Sequence, residues 1–327
     1  MLLAFVAWRS RIWEAGAVLG SPQPAPLVVA VLLNGAIAVL WAIRSSDLLG
    51  ATGHPVGIGP LVPMTAFANT INNLTPGSAG EVFRAWLLRA SHGVPYAAGS
   101  AVIVIERVVA LGYMAASAAV IWFGYTLGIP AAVQLVLLVL VAASPGIVYA
   151  LGIRPAGAFG RLPLGGLVGP ERWVRAGSVL SRVDGTIAGL LTRPRHLMVF
   201  ALTTALVFAC YTAQLCLVAA SVGITLDPLA AWGALGLATI AGVLSLLPFG
   251  LGATDVVMAA LLVAVGVPAS AAGPITFGYR LVATLPLGIM GTLSYAWLSV
   301  RLPSGGSRAV MEAVSAGMAD EQADEAS

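Results

Sequence analysis

The chain has 327 residues, of which 59% are hydrophobic and only 9% are charged, and its mean hydropathy is +0.96. A soluble domain carries about 25% charged residues, so this composition excludes a water-soluble globular protein and predicts an all-α, polytopic membrane protein. The net charge of +3 is too small and too dispersed to indicate nucleic-acid binding.

The N-terminal part contains an interfacial segment followed by four predicted spans. Residues 1–24 carry their arginines after the apolar run, the reverse of a cleaved signal peptide, and this order predicts an interfacial helix. A span needs about 20 apolar residues. A short polar loop is predicted from Arg44 to His54, and residues 75–94 are too polar and too short to cross alone. The four predicted spans are Leu27–Ile43, Val56–Leu74, Pro95–Tyr125 and Pro130–Ile153.

Residues 154–195 interrupt this pattern with seven arginines and only two acidic residues. By the positive-inside rule this basic linker is cytoplasmic, and its apolar residues are spaced as in an amphipathic surface helix. Counting back four spans places the N-terminus in the cytoplasm as well.

The C-terminal part resembles the N-terminal part in layout. Residues 248–266 begin with a proline and glycines, and residues 303–327 form an acidic tail that we expect to be disordered. The total is about seven spanning helices plus two re-entrant helical segments. The last three predicted spans are His196–Val222, Pro228–Leu247 and Pro268–Val300.

Two arginines in apolar sequence occupy matched positions. Arg107 lies twelve residues after Gly93-Val94-Pro95, and Arg280 lies twelve residues after Gly266-Val267-Pro268, so a shift of 173 residues superimposes both features. This match predicts two repeated halves, residues 25–153 and 196–302. It leaves open whether the repeat is parallel or inverted.

Each arginine is preceded by a glycine-broken segment that ends in a carboxylate. Non-helical backbone at membrane depth is tolerated only where protein buries it or where it lines a wet cavity. The free amide groups of a helix start attract anions. Both segments therefore predict a re-entrant helix beside an anion site. The residues that carry this motif are Pro76, Gly77 and Gly80 in the first half and Pro248, Gly250 and Gly252 in the second.

Charged groups inside a membrane are costly, and a functional site is their default interpretation. Glu106 and Arg107 are adjacent and point about 100° apart on a helix, so we expect Glu106 to pair with an arginine of another element. A closed set of structural ion pairs and a proton relay through the carboxylates are the alternatives to lipid binding. The candidate substrate-binding residues are Arg84, Arg107, Arg280, Glu81, Glu106, Asp255, Asn73 and Tyr279.

No sequence motif indicates catalysis. The three histidines are isolated, no His/Cys/Asp group has metal-ligand spacing, and neither a nucleophile elbow nor a phosphate loop is present. We therefore expect no cofactor, no metal and no enzyme activity.

The motif of Pro76, Gly77, Gly80, Glu81 and Arg84, followed by Gly93-Val94-Pro95 and Glu106-Arg107, resembles the lysylphosphatidylglycerol synthase transmembrane region family of flippase-like membrane proteins. Leu247–Gly252 and Tyr279-Arg280 are similar to the second copy of that motif, although Phe249 and Asp255 stand where glycine and glutamate are usual.

The resemblance implies movement of anionic, aminoacylated or polyprenyl-linked lipids between the leaflets of a bacterial or archaeal cell (inner) membrane. It implies membrane lipids as partners, and it is compatible with a homodimer. Two-domain members attach the amino acid with a C-terminal soluble domain, which this sequence lacks, so we expect no aminoacyl transfer. The alternative is a membrane enzyme or accessory protein in lipid-linked glycan or phospholipid metabolism.

Overall fold

The computed structural model describes residues 22–74, 79–150, 193–245, 250 and 252–301. Within these residues the protein is built from α-helices, and most helices begin and end near the predicted bounds. The predicted interfacial segment and acidic tail, nearly all of the basic linker, and the motif residues Pro76, Gly77 and Pro248 lie outside the described residues. The helices are α1 Pro24–Ala51, α2 Ile58–Leu74, α3 Ala79–His92, α4 Tyr96–Thr126, α5 Ala131–Ala150, α6 Pro194–Ser221, α7 Pro228–Leu244, α8 Ala253–Ala264 and α9 Ala269–Arg301.

Four of the described helices, α1, α4, α6 and α9, are long and apolar enough to cross a membrane. The helices α2 and α7 have 17 residues each, and α3 and α8 have 14 and 12. At 1.5 Å per residue the last two extend only about 21 and 18 Å, against a hydrocarbon core of about 30 Å.

The outer faces of the helices are apolar and uncovered. Leu32 in α1 is 69% exposed and Val139 in α5 is 67% exposed, and both lie within longer runs of exposed valine and leucine. An apolar surface of this extent is incompatible with water and fits a bilayer. The chain is therefore a multi-pass membrane protein.

The polar loop predicted from Arg44 is wrong over residues 44–51, because α1 continues to Ala51. Hydropathy ends the span at Ile43, where the first charged side chain appears. In the structure Arg44 is buried beside Glu106, with the nearest nitrogen–oxygen distance at 3.6 Å, and it donates to the hydroxyl of Thr204. These partners offset the cost of the charge, so the helix extends past it.

The helices α1–α4, here the N-terminal set, have counterparts of similar length in α6–α9, here the C-terminal set. Both α1 and α6 have 28 residues, and they pack side by side in opposite directions. At one end the Gln23 amide donates to the Ser221 carbonyl, and at the other Asp47 contacts His196 at 2.7 Å.

Helices of the N-terminal set pack directly against helices of the C-terminal set. Helix α2 packs against α9 and α7 packs against α4, again antiparallel. Thr70 of α2 donates to the Leu287 carbonyl of α9 at 3.2 Å, and the rings of Phe67 and Tyr295 stack at 5.2 Å. This interleaving buries the inner face of each set against the other.

The short helices double back on their neighbours. Val56, just before α2, and Val94, just after α3, belong to one hydrophobic cluster, so the two open ends of this helix pair lie together. Leu226 and Val267 flank α7 and α8 in the same way in a second cluster.

Glycines allow the close approach inside each pair. A Cβ at Gly80 would collide with the backbone carbonyl of Ala68 in α2. In the second pair Gly250 has a φ of +59°, a left-handed conformation that favours glycine, and a Cβ there would lie 2.9 Å from the Cα of Gly242. Gly252, the N-cap residue just before α8, also has a positive φ of +85°.

Candidate functional site

A cavity of about 480 Å³ lies between the two sets of helices. Helices of both sets contribute to its wall, including the beginnings of the short helices α3 and α8. All eight residues singled out from the sequence line this one cavity: Asn73, Glu81, Arg84, Glu106, Arg107, Asp255, Tyr279 and Arg280.

Glu106 is at the centre of a buried charge cluster that joins three helices. Its Oε2 lies 2.6 Å from Nη1 of Arg84 in α3, and its Oε1 accepts from the hydroxyl of Ser45 in α1 at 2.6 Å. The other terminal nitrogen of Arg84 donates to the same Ser45 hydroxyl, and Arg44 approaches Glu106 from α1. Glu106 thus pairs with arginines of other helices, as its position beside Arg107 predicts.

Arg107 faces the cavity while paired with Glu81. Its Nε donates to Oε1 of Glu81 at 2.6 Å, and one of its terminal nitrogens contacts the same oxygen. The Arg107 side chain is 51% exposed, whereas that of Glu81 is 11% exposed. The Asn72 amide also donates to Glu81, at 2.9 Å, so this carboxylate is held by residues of two other helices.

The C-terminal set contains the corresponding pair, Asp255 and Arg280. The Nε of Arg280 donates to Oδ1 of Asp255 at 2.8 Å, and both side chains are 20% exposed. The other oxygen of Asp255 accepts from the Gly252 amide at the start of α8. A carboxylate at a helix N-terminus interacts favourably with the helix dipole.

The two pairs occupy the same positions of their helices. Glu81 and Asp255 are the third residues of α3 and α8, and Arg107 and Arg280 are the twelfth residues of α4 and α9. Each pair joins the first turn of a short helix to the middle of a long one.

The buried cluster has no charged counterpart in the C-terminal set. The helix positions of Arg44, Arg84 and Glu106 correspond to positions 214, 258 and 279. Those positions hold Gln214, Met258 and Tyr279, which are all neutral. The N-terminal set is therefore fixed by buried ion pairs, whereas the C-terminal set has neutral residues at the corresponding positions.

Sequence reasoning missed several residues of the cavity wall. Arg44 had a usable signal, because it follows directly on an apolar run and could have been grouped with the other membrane arginines. The remaining residues are neutral and scattered through apolar helices, where no spacing distinguishes them from packing residues. They include Trp41, Tyr113, Thr204 and Tyr211.

Among the described residues, no three His, Cys, Asp or Glu side chains come together as a metal ion would need. The acidic side chains of the cavity contact arginines instead.

One curated protein with local similarity is a glycosyltransferase, AglD, of Haloferax volcanii. It is 31% identical over 111 residues, which are 34% of this chain and 18% of that protein. The chain therefore matches less than a fifth of the length of this relative.

The family comparison covers most of the chain. The model of the Lysylphosphatidylglycerol synthase TM region matches residues 1–291, which include every described cavity residue and nearly all of the described helices. The expectation drawn from the two motif copies is confirmed: this chain belongs to the Lysylphosphatidylglycerol synthase TM region family.

Proposed function

We propose that this protein moves a lipid across the membrane by binding its headgroup phosphate between Arg107 and Arg280. The observation that carries the proposal is the half-exposed Arg107 side chain, which faces a cavity that also contains Arg280. Arginine binds phosphate through a planar fork of donors and keeps its charge in apolar surroundings.

Arg107 is held in place without being fully occupied. Glu81 contacts the Nε edge of Arg107, and an arginine has five N–H donors, so donors remain on the cavity side. A phosphate at this site replaces the water that otherwise solvates them. The first turns of α3 and α8 add their positive dipole ends to the same cavity.

Arg84 and Arg44 have a different role in this proposal. Arg84 is 6% exposed and is engaged by Glu106 and Ser45. The buried cluster positions α3 and α4, and through them the Glu81–Arg107 pair, while its charge adds to the positive potential of the cavity. Arg84 is a candidate substrate-binding residue from the sequence, and in this proposal its role is indirect and electrostatic.

We further propose that the two sets are inverted copies of one unit. The equal lengths of α1 and α6, their antiparallel packing and the matched carboxylate–arginine pairs support this arrangement. Inverted repeats place a substrate site near the bilayer midplane at the interface of the copies. In this arrangement each short helix pair is a re-entrant hairpin.

The proposed topology relates the two sides of the membrane to the linker. Because Asp47 contacts His196, the end of α1 lies on the face where α6 begins. With the basic linker cytoplasmic, that face is cytoplasmic and Gln23, at the opposite end of α1, lies on the other face. The count of seven full spans from the sequence instead places the N-terminus in the cytoplasm.

The test is lipid movement in vesicles reconstituted with the full chain. Arg107→Ala and Arg280→Ala are expected to slow the transfer of a labelled phospholipid at least tenfold. Arg89→Ala is the matched control, because Arg89 is exposed, lies outside the cavity wall and lies over the ring of Tyr96. Transfer at the wild-type rate in both cavity variants would contradict the proposal.

An accessory role in lipid-linked glycan metabolism is the second candidate. The local similarity to a protein described as a glycosyltransferase favours it. In that case purified protein would alter or deliver a glycosylated lipid only together with an enzyme, and the vesicle assay would show no transfer by the chain alone.

A further inference from the structure

We propose that Glu81 is a proton-binding site, which takes up one proton when a headgroup phosphate binds Arg107. The proposal rests on the function proposed above and adds a proton that accompanies the lipid. It concerns one carboxylate and the side chains that surround it, which are Arg107 in α4, Asn72 in α2 and Arg84 in α3 itself.

The two carboxylate oxygens of Glu81 have unequal surroundings. Oε1 accepts from Nε of Arg107 at 2.6 Å and from Nδ2 of Asn72 at 2.9 Å. Oε2 is buried and has no hydrogen-bond partner in the described part of the chain. Nη1 of Arg84 lies 3.7 Å from Oε2, which is beyond hydrogen-bond distance. One acceptor of this carboxylate is therefore unused although it is buried.

Asn72 has a matching unused acceptor. Its Nδ2 donates to Glu81, whereas its Oδ1 is buried and accepts no hydrogen bond from the described residues. This oxygen lies against α3, since a Cβ at Gly80 would lie 2.7 Å from it. A protonated carboxyl group has an O–H donor that a carboxylate lacks, so it can pair with an amide through two hydrogen bonds. One proton on Glu81 supplies the donor that both oxygens lack.

Phosphate binding removes the counter-charge that keeps Glu81 ionised. The Arg107 side chain is 51% exposed and can turn to an anion in the cavity, whereas Glu81 is 11% exposed and lies in the first turn of α3. Arg84 does not replace Arg107, because Glu106 and Ser45 hold its two terminal nitrogens at 2.6 Å each. A buried carboxylate without a counter-charge is neutralised by taking up a proton.

The other two carboxylates of the described cavity wall have no unused oxygen. Glu106 uses both oxygens within the buried cluster. Asp255 uses one oxygen for Arg280 and the other for a backbone amide at the start of α8. The amide partner is also missing there, because the fifteenth residue of α2 is Asn72 and the fifteenth residue of α7 is Gly242. The proton site therefore belongs to the N-terminal set.

The proton also balances the charge of the lipid. The charged groups of the described wall leave one positive charge when the cavity is empty. A phosphodiester brings one negative charge and the proton one positive charge, so the loaded cavity has the same net charge as the empty one. A lipid that crosses in this form moves no net charge, and a proton gradient can drive it. The charged wall residues are Arg44, Arg84, Arg107, Arg280, Glu81, Glu106 and Asp255.

The experiment measures proton uptake when an ether-linked, short-chain phosphatidylglycerol binds to the purified full chain in detergent. Calorimetry in buffers of different ionisation enthalpy counts the protons, and we expect about one per bound lipid. Because binding takes up a proton, affinity should rise as the pH falls, several-fold between about pH 7.5 and 5.5. A count of zero, or the same affinity at both pH values, would overturn the proposal.

Infrared difference spectroscopy identifies the kind of group that takes up the proton. Lipid binding should produce the carbonyl band of a protonated carboxyl group. The ether-linked probe has no ester carbonyl that would overlap with this band. Lipid binding without the band would contradict protonation of a carboxylate.

Variants assign the proton to one residue. Glu81→Gln imitates the protonated carboxyl group, because its amide can donate to Asn72, and it should bind lipid with no proton uptake, no infrared band and an affinity independent of pH. Asp255→Asn, in the opposite pair, and Asp227→Asn, which lies outside the cavity wall, should keep one proton per bound lipid. If Glu81→Gln does not fold, the wild-type proton count and infrared band still test the proposal.

Histidine is the side chain that ordinarily titrates near neutral pH. The three histidines of the chain lie outside the cavity wall. Proton uptake that persists in Glu81→Gln would therefore assign the proton to a group outside this pair and overturn the proposal.

Failure of this inference is distinguishable from failure of the proposed function. If Arg107→Ala and Arg280→Ala bind the probe as the wild type does, the phosphate site itself is wrong. If binding depends on both arginines but the wild type takes up no proton, only the role of Glu81 is wrong.

Discussion

Arg107 donates to Glu81 over 2.6 Å between two helices, yet it lines the cavity and half of its side chain remains exposed. The pair is therefore both a structural link and a competitor for any anion that binds there. A ligand phosphate and the Glu81 carboxylate share one guanidinium.

Glu81→Gln should strengthen lipid binding. Removing the carboxylate leaves the full charge of Arg107 to the phosphate, and we expect a gain of about 1 kcal/mol, or roughly fivefold in affinity. Competition with labelled phosphatidylglycerol measures it. The control is Asp227→Asn, which neutralises a carboxylate that caps α7 outside the cavity. Weaker binding in Glu81→Gln would show that Glu81 positions Arg107 more than it competes.

The buried cluster should matter more for stability than the exposed pair. Arg84→Met leaves Glu106 in an apolar interior without its nearest partner, a change that costs about 3–5 kcal/mol when a buried pair is broken. Arg107→Met removes a half-exposed partner and should cost about 1 kcal/mol or less. The free energies of unfolding of the two detergent-purified variants measure this difference. Equal losses would mean that the burial of the Arg84–Glu106 pair does not decide its contribution.

The close contact at Gly80 gives a test of the helix pairs. Gly80→Ala places a Cβ against the Ala68 carbonyl, so α3 must shift away from α2 and the unfolding temperature should fall by several degrees. Gly35→Ala is the matched control, because its new methyl group meets nothing within 4 Å in the described structure. Alanine there should be neutral or stabilise α1 by about 0.5–1 kcal/mol. An unchanged Gly80→Ala variant would contradict the tight packing of α2 on α3.

The topology predicts which loops share a face of the membrane. If α2 and α3 form a hairpin, His54 and His92 lie on the same face; if α2 crosses and α3 does not, they lie on opposite faces. Single cysteines at the two positions, in a variant with Cys210 and Cys216 replaced by alanine, can be labelled in intact cells with a membrane-impermeant thiol reagent. The hairpin predicts the same labelling pattern at both. Opposite patterns would restore the seven-span arrangement.

Much of the helical layout was predictable from hydropathy, and the reasons for the exceptions are physical. The bounds of α2, α4 and α6 follow from apolar runs that begin at Pro or Gly and end at polar residues. The end of α1 was missed because a hydropathy scale scores Arg44 as an unpaired charge in lipid. The scale does not include its partner Glu106, which lies 62 residues later in the chain.

The candidate site was accessible from the sequence for a related reason. Charged residues are so rare in this chain that every arginine and carboxylate of the cavity wall except Arg44 could be named, and the shift of 173 residues related Arg107 to Arg280. The partners could not be assigned, because pairing depends on which helices pack together. The neutral wall, such as Tyr211, carried no signal among apolar residues.

The most direct test of the shared phosphate site is a double-mutant cycle on Arg107 and Arg280. Affinity for labelled phosphatidylglycerol is measured for the wild type, Arg107→Ala, Arg280→Ala and the double variant. If both arginines bind one phosphate, each single variant loses at least tenfold and the double variant loses clearly less than the product of the two losses. Wild-type affinity in either single variant, or losses that simply multiply, would contradict a shared site.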